Sequence, residues 1–143
     1  MTTEISSCRP ANYGVCLRND CPLANSCLRQ LHSQEPCADE RFINVVNPSL
    51  VKNVTSKCDF YRPNTLVRVA YGIRHIFDAV PHSKYNSVFH SVIGLFGKST
   101  YYRIYHKQRP IWPKEQEQIR RIFAYYGSNE PVEFEEYRDI IDW

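Results

Sequence analysis

Six cysteines fall within the first 58 residues, and none follows. Three stand close together in "CLRNDCPLANSC", where Cys16, Cys21 and Cys27 are spaced Cys-x4-Cys-x5-Cys. Sulfur donors so grouped suit a soft tetrahedral ion. Zinc takes four such ligands at about 2.3 Å from each sulfur, and a tight loop that supplies three needs a fourth from elsewhere in the chain. Cys58, in "SKCDFYRP", is the expected fourth ligand, with Cys37 as the alternate and His32 as a weaker one. The zinc would be structural, a staple for a segment too small to bury a core of its own. Three close cysteines and a distant one also suit an iron–sulfur cluster. The plain alternative is thiols without metal, because cysteine is often simply a small core residue. Disulfides are not expected in an intracellular chain.

A second stretch, "GLFGKSTYYRIYHKQR" at residues 94–109, concentrates basic and hydroxyl groups. It contains G-K-S-T, the end of a phosphate-binding loop, but that loop requires G-x-x-x-x-G-K-[ST] between a strand and a helix. With Gly97 as the second glycine, the first belongs at the position of Val92. The residues before it have helical spacing, and no acid follows a second apolar strand to hold magnesium. Nucleotide binding is therefore not expected. Helical spacing from Ser99 turns Tyr101 and Ile104 inward and leaves Lys98, Ser99, Tyr102, Arg103, His106 and Lys107 outward. Lysine and arginine neutralise phosphates, and arginine also forks onto guanine. Lys98, Ser99, Tyr102, Arg103 and Lys107 are the expected DNA contacts. The plain alternative is a solvated helix face.

The elements that must position these residues change character near residue 62. Residues 1–62 are irregular, with turn-forming prolines at 10, 22, 36 and 48, one short helix in "LANSCLRQLH", and short strands in "FINVVN" and "SLVKNV". Residues 63–143 read as helices. Leu66, Val69, Ala70, Ile73, Phe77 and Val80 recur at helical spacing through "PNTLVRVAYGIRHIFDAV". Ser83 is a cap for "KYNSVFHSVIGLF", with Val88, Phe89, Val92 and Phe96 as its apolar stripe, and Ser99 is a cap for "TYYRIYHKQ". Pro113 opens "PKEQEQIRRIFAYY" at a favourable first position. "VEFEEYRDII" puts Phe134, Tyr137 and Ile141 on one face of a last helix. The expected fold is mainly α: a helix-turn-helix-like bundle over 63–143 with an acidic tail, preceded by an irregular metal-stapled segment over 1–62.

Composition narrows the function classes. A hydrophobic content of 43% is that of a globular chain rather than a disordered one. No apolar run approaches the length of a membrane-spanning helix, and the N-terminal residues show no secretory signal, so a cytoplasmic location is expected. The net charge of +3 conceals an asymmetry. Residues 62–127 carry eleven Lys/Arg against Asp78, Glu115 and Glu117, whereas residues 128–143 carry only Arg138 against six acids. Such a split points to an anionic partner, or to a tail that covers the basic face. No nucleophile, base and orienting group stand in a catalytic pattern, and the acids of "EFEEY" read as a solvated face, so an enzyme is not expected.

Two resemblances extend this reading. "GLFGKSTYYRIYHKQRPIWPKEQEQIRRIFAYYG" resembles the Cro/repressor type of helix-turn-helix domain, through its turn, its serine-led short helix, its basic loop with a proline and its apolar-striped final helix. That likeness implies double-stranded DNA as partner and dimers on paired half-sites. The whole chain is similar to an uncharacterised bacterial family known only as a domain of unknown function. The shared features are C-x4-C-P-x4-C-L-R, here Cys16, Cys21, Pro22, Cys27, Leu28 and Arg29, and an S-T-Y-Y-R-like helix. This second likeness implies that the cysteines act as a unit, and it implies no activity. The expected function is DNA binding in a regulatory role with a structural zinc site. A zinc-stapled module for a protein partner or homodimer, and an iron–sulfur or redox protein, remain as alternatives.

Overall fold

Alternation and β-branching, rather than helical spacing, decide what residues 66–71 become. Val67 and Val69 sit on one side of "LVRVAY" and Arg68 on the other, and β-branched residues fit a pleated surface better than a helix. In the computed structural model, which describes residues 8–35, 37 and 40–143, this segment is strand β1, Leu66–Tyr71. Pro36, read as a turn residue, and the first seven residues, read as carrying no secretory signal, lie outside the described residues.

The elements after β1 are helices α3 (His82–Phe96), α4 (Lys98–Tyr105) and α5 (Pro113–Tyr125), and strand β2 (Glu136–Ile141). Before β1 stand two one-turn helices, α1 (Leu28–Leu31) and α2 (Pro48–Val51). The chain divides into two compact units. The first runs to Leu66 and includes Ile141–Trp143; the second is Val67–Ile140.

The mainly α, helix-turn-helix-like bundle is overturned. Among the described residues, helix makes up 35% and strand 13%, and five helices accompany a two-stranded antiparallel sheet. A helix share of that size is ordinary for a mixed domain. Both terminal helices of the expected bundle are the strands of this sheet. Ala70 exchanges backbone hydrogen bonds with Ile111, so β1 is paired on its other edge as well (Ala70 N–H to Ile111 O 3.0 Å, Ile111 N–H to Ala70 O 2.8 Å). Across the sheet, the Arg68 guanidinium lies 5.2 Å from the ring centre of Tyr137, and that of Arg138 lies 4.8 Å from Tyr71. Such cross-strand pairs stabilise a two-stranded ladder that would be marginal alone. A helix-turn-helix also needs a turn of about three residues between its helices, whereas only Gly97, at φ +79°, separates α3 from α4.

Helical spacing reads the middle of the second unit well. Val88 and Val92 of α3, Tyr101 and Ile104 of α4, and Ile119 and Phe123 of α5 are all buried. Pro113 is the first residue of α5, and Glu115 accepts the Trp112 N–H at 2.9 Å to close its first turn. The expected serine caps do not form: Pro81 precedes α3 and Gly97 precedes α4.

The first unit is irregular. Val15 and Val45 form an isolated parallel bridge in place of the strand expected at "FINVVN". "SLVKNV" opens on α2, capped by Asn47, rather than forming a strand. "LANSCLRQLH" splits into a 3-10 turn over Ala24–Ser26 and α1. Among the described residues, no helix is long and apolar enough to cross a membrane.

After β1, Gly72 adopts φ +81°, and a side-chain carbon placed there would meet the Glu135 carboxyl at 2.6 Å. Gly72→Ala is expected to lower stability by about 1–3 kcal/mol from the left-handed backbone alone, with the collision adding to it. A denaturant midpoint unchanged from the parent would contradict this geometry.

Candidate metal centre and basic face

Cys16, Cys21, Cys27 and Cys58 reach the same place from four local structures, all in the first unit. Cys16 donates its N–H to the Arg29 carbonyl at 3.0 Å, directly after the Val15–Val45 bridge. Cys21 opens a turn in which its carbonyl accepts the Ala24 N–H at 3.0 Å, with Pro22 at the second position that proline favours. Cys27 precedes α1, bridges to Pro63, and accepts the Leu31 N–H at 2.9 Å. Cys58 opens a second turn, closed by the Tyr61 N–H at 3.1 Å. The four side chains line one small cavity of about 20 Å³, walled also by Leu23, Val51, Val54 and Phe60.

Arg29 holds the walls of this cavity together. Its guanidinium donates to the Gly14 carbonyl at 2.5 Å and to the Phe60 carbonyl at 2.9 Å, and lies 4.6 Å from the ring centre of Tyr13. It thereby joins the chain just before Cys16 to the chain just after Cys58. Leu28, fully buried, donates its N–H to the Arg62 carbonyl at 2.7 Å. The Cys-Leu-Arg triplet thus provides a thiol, a core side chain and a clamp.

The alternate ligands lie elsewhere. Neither Cys37 nor His32 is on the cavity wall. His32 faces the Glu35 carboxylate through Nδ1 and packs edge-on against Trp143 at 5.0 Å. Of the His, Cys, Asp and Glu ligand types, the wall carries cysteine alone, and sulfur donors suit zinc or an iron–sulfur cluster over a hard cation. Among the described residues, no three His, Cys, Asp or Glu side chains are disposed to hold a metal ion as they stand.

In the second unit, α4 carries four of the five residues expected to meet DNA, and Lys107 follows two residues after its end. Lys98, Ser99, Tyr102 and Arg103 are exposed, and the opposite side of the helix is buried through Tyr101 and Ile104. Lys98 and Arg103 have no carboxylate partner among the described residues. Lys107 differs. It closes α4 at φ +58°, and its ammonium lies 2.9 Å from Glu135. Glu135 also accepts the Arg74 N–H at 2.8 Å. Burial works to raise this carboxyl's pKa, but Lys107 and the Arg74 N–H together hold it below the usual range.

The acidic tail is built into the second unit as far as Ile140, through β2 and through Glu135, which meets the Lys107 ammonium. Sequence reasoning missed Arg29 as a clamp, Arg74 as an exposed cation, and Glu135 as the neutraliser of Lys107. Local sequence carries no signal for the last two, since Glu135 stands 28 residues from Lys107 and 61 from Arg74. Arg29→Ala is expected to lower the stability of the first unit by about 2 kcal/mol or more, because two carbonyls lose a charged donor. Arg29→Lys, which cannot fork, should recover only part of it. Urea denaturation followed by tyrosine and tryptophan fluorescence reads the difference.

Neither the curated proteins nor the solved structures contain a match to this chain. One family model covers it from residue 1 to residue 143, and the chain belongs to that family, described as a family of unknown function (DUF6078).

Proposed function

We propose that this protein binds DNA in a regulatory role, through the exposed face of α4, and that a zinc ion staples its first unit. The observation that carries the binding half is the state of Lys98 and Arg103. Both are exposed on one helix beside Ser99 and Tyr102, without a carboxylate among the described residues to neutralise them. Cations left unpaired beside a hydrogen-bonding tyrosine suit phosphate contacts, whose strength comes from the release of counterions. Lys107 contributes less to this face, because Glu135 already meets its charge.

Cys16, Cys21, Cys27 and Cys58 would hold the zinc. Bound there, zinc supplies cross-links among four turns that share little apolar core. A four-thiolate zinc site carries a net negative charge, and Arg29 on the cavity wall offsets it. The chain's own part is to present four thiols from anchored turns around one cavity.

One observation favours a second reading, a protein-interaction module. Phe42 is 90% exposed and Leu50 63%, with Ile43 and Val45 exposed beside Phe42 in the sequence. Exposed apolar residues in such number are a feature of protein contact surfaces.

Two experiments test the proposal. Elemental analysis of the purified full chain should find about one zinc per molecule, and Cys21→Ser should lose both the metal and the cooperative unfolding of the first unit. Metal-free protein with an unchanged fold would defeat the zinc site, and a brown protein containing iron would replace zinc with a cluster. For DNA, the logarithm of affinity should fall linearly with the logarithm of salt, and the double variant Lys98→Ala/Arg103→Ala should reduce that slope by about 2. Absence of binding at about 50 mM salt would overturn the DNA reading and leave the interaction module.

A further inference from the structure

Beside the exposed face of α4, the second unit has a cleft of about 320 Å³ with unusual walls. Tyr85, Tyr101, Tyr102 and Tyr105 line it together with Phe77 and Phe89, and Arg74 and Asp78 supply its charged groups. The volume lies at the lower end of the range of about 300–1,000 Å³ found for small-ligand sites. The rings form a connected set. Tyr85 stacks on Phe89 with an interplanar angle of 12°, Phe89 meets Tyr101 edge-on at 5.6 Å, and Tyr102 meets Tyr101 edge-on at 5.4 Å. Tyr85 and Tyr102 keep exposed faces, at 37% and 44% exposure.

Tyr101 adds a hydroxyl donor to this wall. It is 97% buried, yet its hydroxyl forms no hydrogen bond with any described residue. The Tyr101 ring is enclosed, whereas its hydroxyl oxygen is not among the enclosed polar atoms that lack a partner, so on the cleft wall it is open to a polar atom from outside. Burial first, and then the neighbouring hydroxyls of Tyr85, Tyr102 and Tyr105, push its pKa up to about 12. It therefore remains a neutral donor throughout the physiological range.

We infer that this cleft receives one unpaired base of a single-stranded nucleic acid, stacked on the exposed tyrosine rings, with the Tyr101 hydroxyl meeting a polar atom on its edge. Every base has a π-face, and aromatic platforms flanked by cations are how single strands are held. Asp78 accepts from base amino or imino groups, and Arg74 donates to a base carbonyl or a phosphate. Lys98 lies one helical turn before Tyr102, on the same side of α4, where the strand's phosphates would pass. A cationic ligand suits the cleft less well, because the Arg74 guanidinium already lies 5.0 Å from the ring centre of Tyr105. The inference rests on the nucleic-acid reading of α4 and deepens it, replacing paired with unpaired bases as the preferred form.

The test is fluorescence anisotropy on the full chain with a labelled single-stranded oligonucleotide. The competitors are the same strand annealed to its complement and a free nucleoside monophosphate. The single strand should bind more tightly than the duplex. Tyr85→Ala should weaken single-strand binding roughly tenfold and leave duplex binding unchanged, and Tyr85→Phe should restore it. Tyr101→Phe keeps the buried ring, and with it the fold, and should cost a few-fold on the single strand alone. Duplex binding equal to single-strand binding, with all three variants silent, would overturn the cleft while leaving α4 as a phosphate-binding face. Binding of neither form would overturn both. A free mononucleotide that competes as well as the strand would overturn the strand as the ligand.

Discussion

The pairing of β1 with β2 is the constraint on which the second unit depends. The two strands enclose α3, α4 and α5 in the chain between them, so a ladder of two strands closes a loop of more than 60 residues. Loop closure on that scale is entropically costly before any contact rewards it. The compensating terms are visible on the sheet and beneath it. Arg68 with Tyr137 and Tyr71 with Arg138 face each other across the strands, and Ala70 ties β1 to Ile111 on its other edge. The helices then bury Val88, Val92, Tyr101, Ile104, Ile119 and Phe123 in one core. Glu135, just before β2, meets the backbone after β1 and the ammonium at the end of α4. The register of the sheet thus sets the charge left on the basic helix.

The first unit solves a different problem. Its fully buried apolar side chains are few, with Val15 and Leu28 the most enclosed. Arginines replace packing with backbone clamps. Arg9 donates to the carbonyls of His32 and Glu35 at 2.9 and 2.8 Å, Arg18 to those of Val51 and Val54 at 2.6 and 3.0 Å, and Arg29 to those of Gly14 and Phe60. Each joins segments far apart in the chain, and each works only while its loops stay in place. Tyr13, edge-on to Trp143 and under Arg29, keeps a buried hydroxyl with no partner among the described residues. Burial dominates over the two arginines nearby and raises its pKa. The clamps of Arg18 and Arg29 hold Val51, Val54 and Phe60, which line the cysteine cavity.

The sequence by itself determined the local features. The cysteine spacing, the inward turn of Tyr101 and Ile104, the start of α5 at Pro113 and the concentration of positive charge between residues 62 and 127 all follow from neighbours a few residues apart. Helical hydrogen bonds close over four residues, so their signals are local and readable. Only the tertiary structure decided which of two periodicities residues 66–71 and 136–141 obey, because a short apolar run fits both and a strand exists only with its partner. It alone brought Cys58 rather than Cys37 to the wall shared by Cys16, Cys21 and Cys27, and set Glu135 against Lys107. Those outcomes depend on contacts between segments tens of residues apart, where chain geometry, and no local pattern, determines which groups meet.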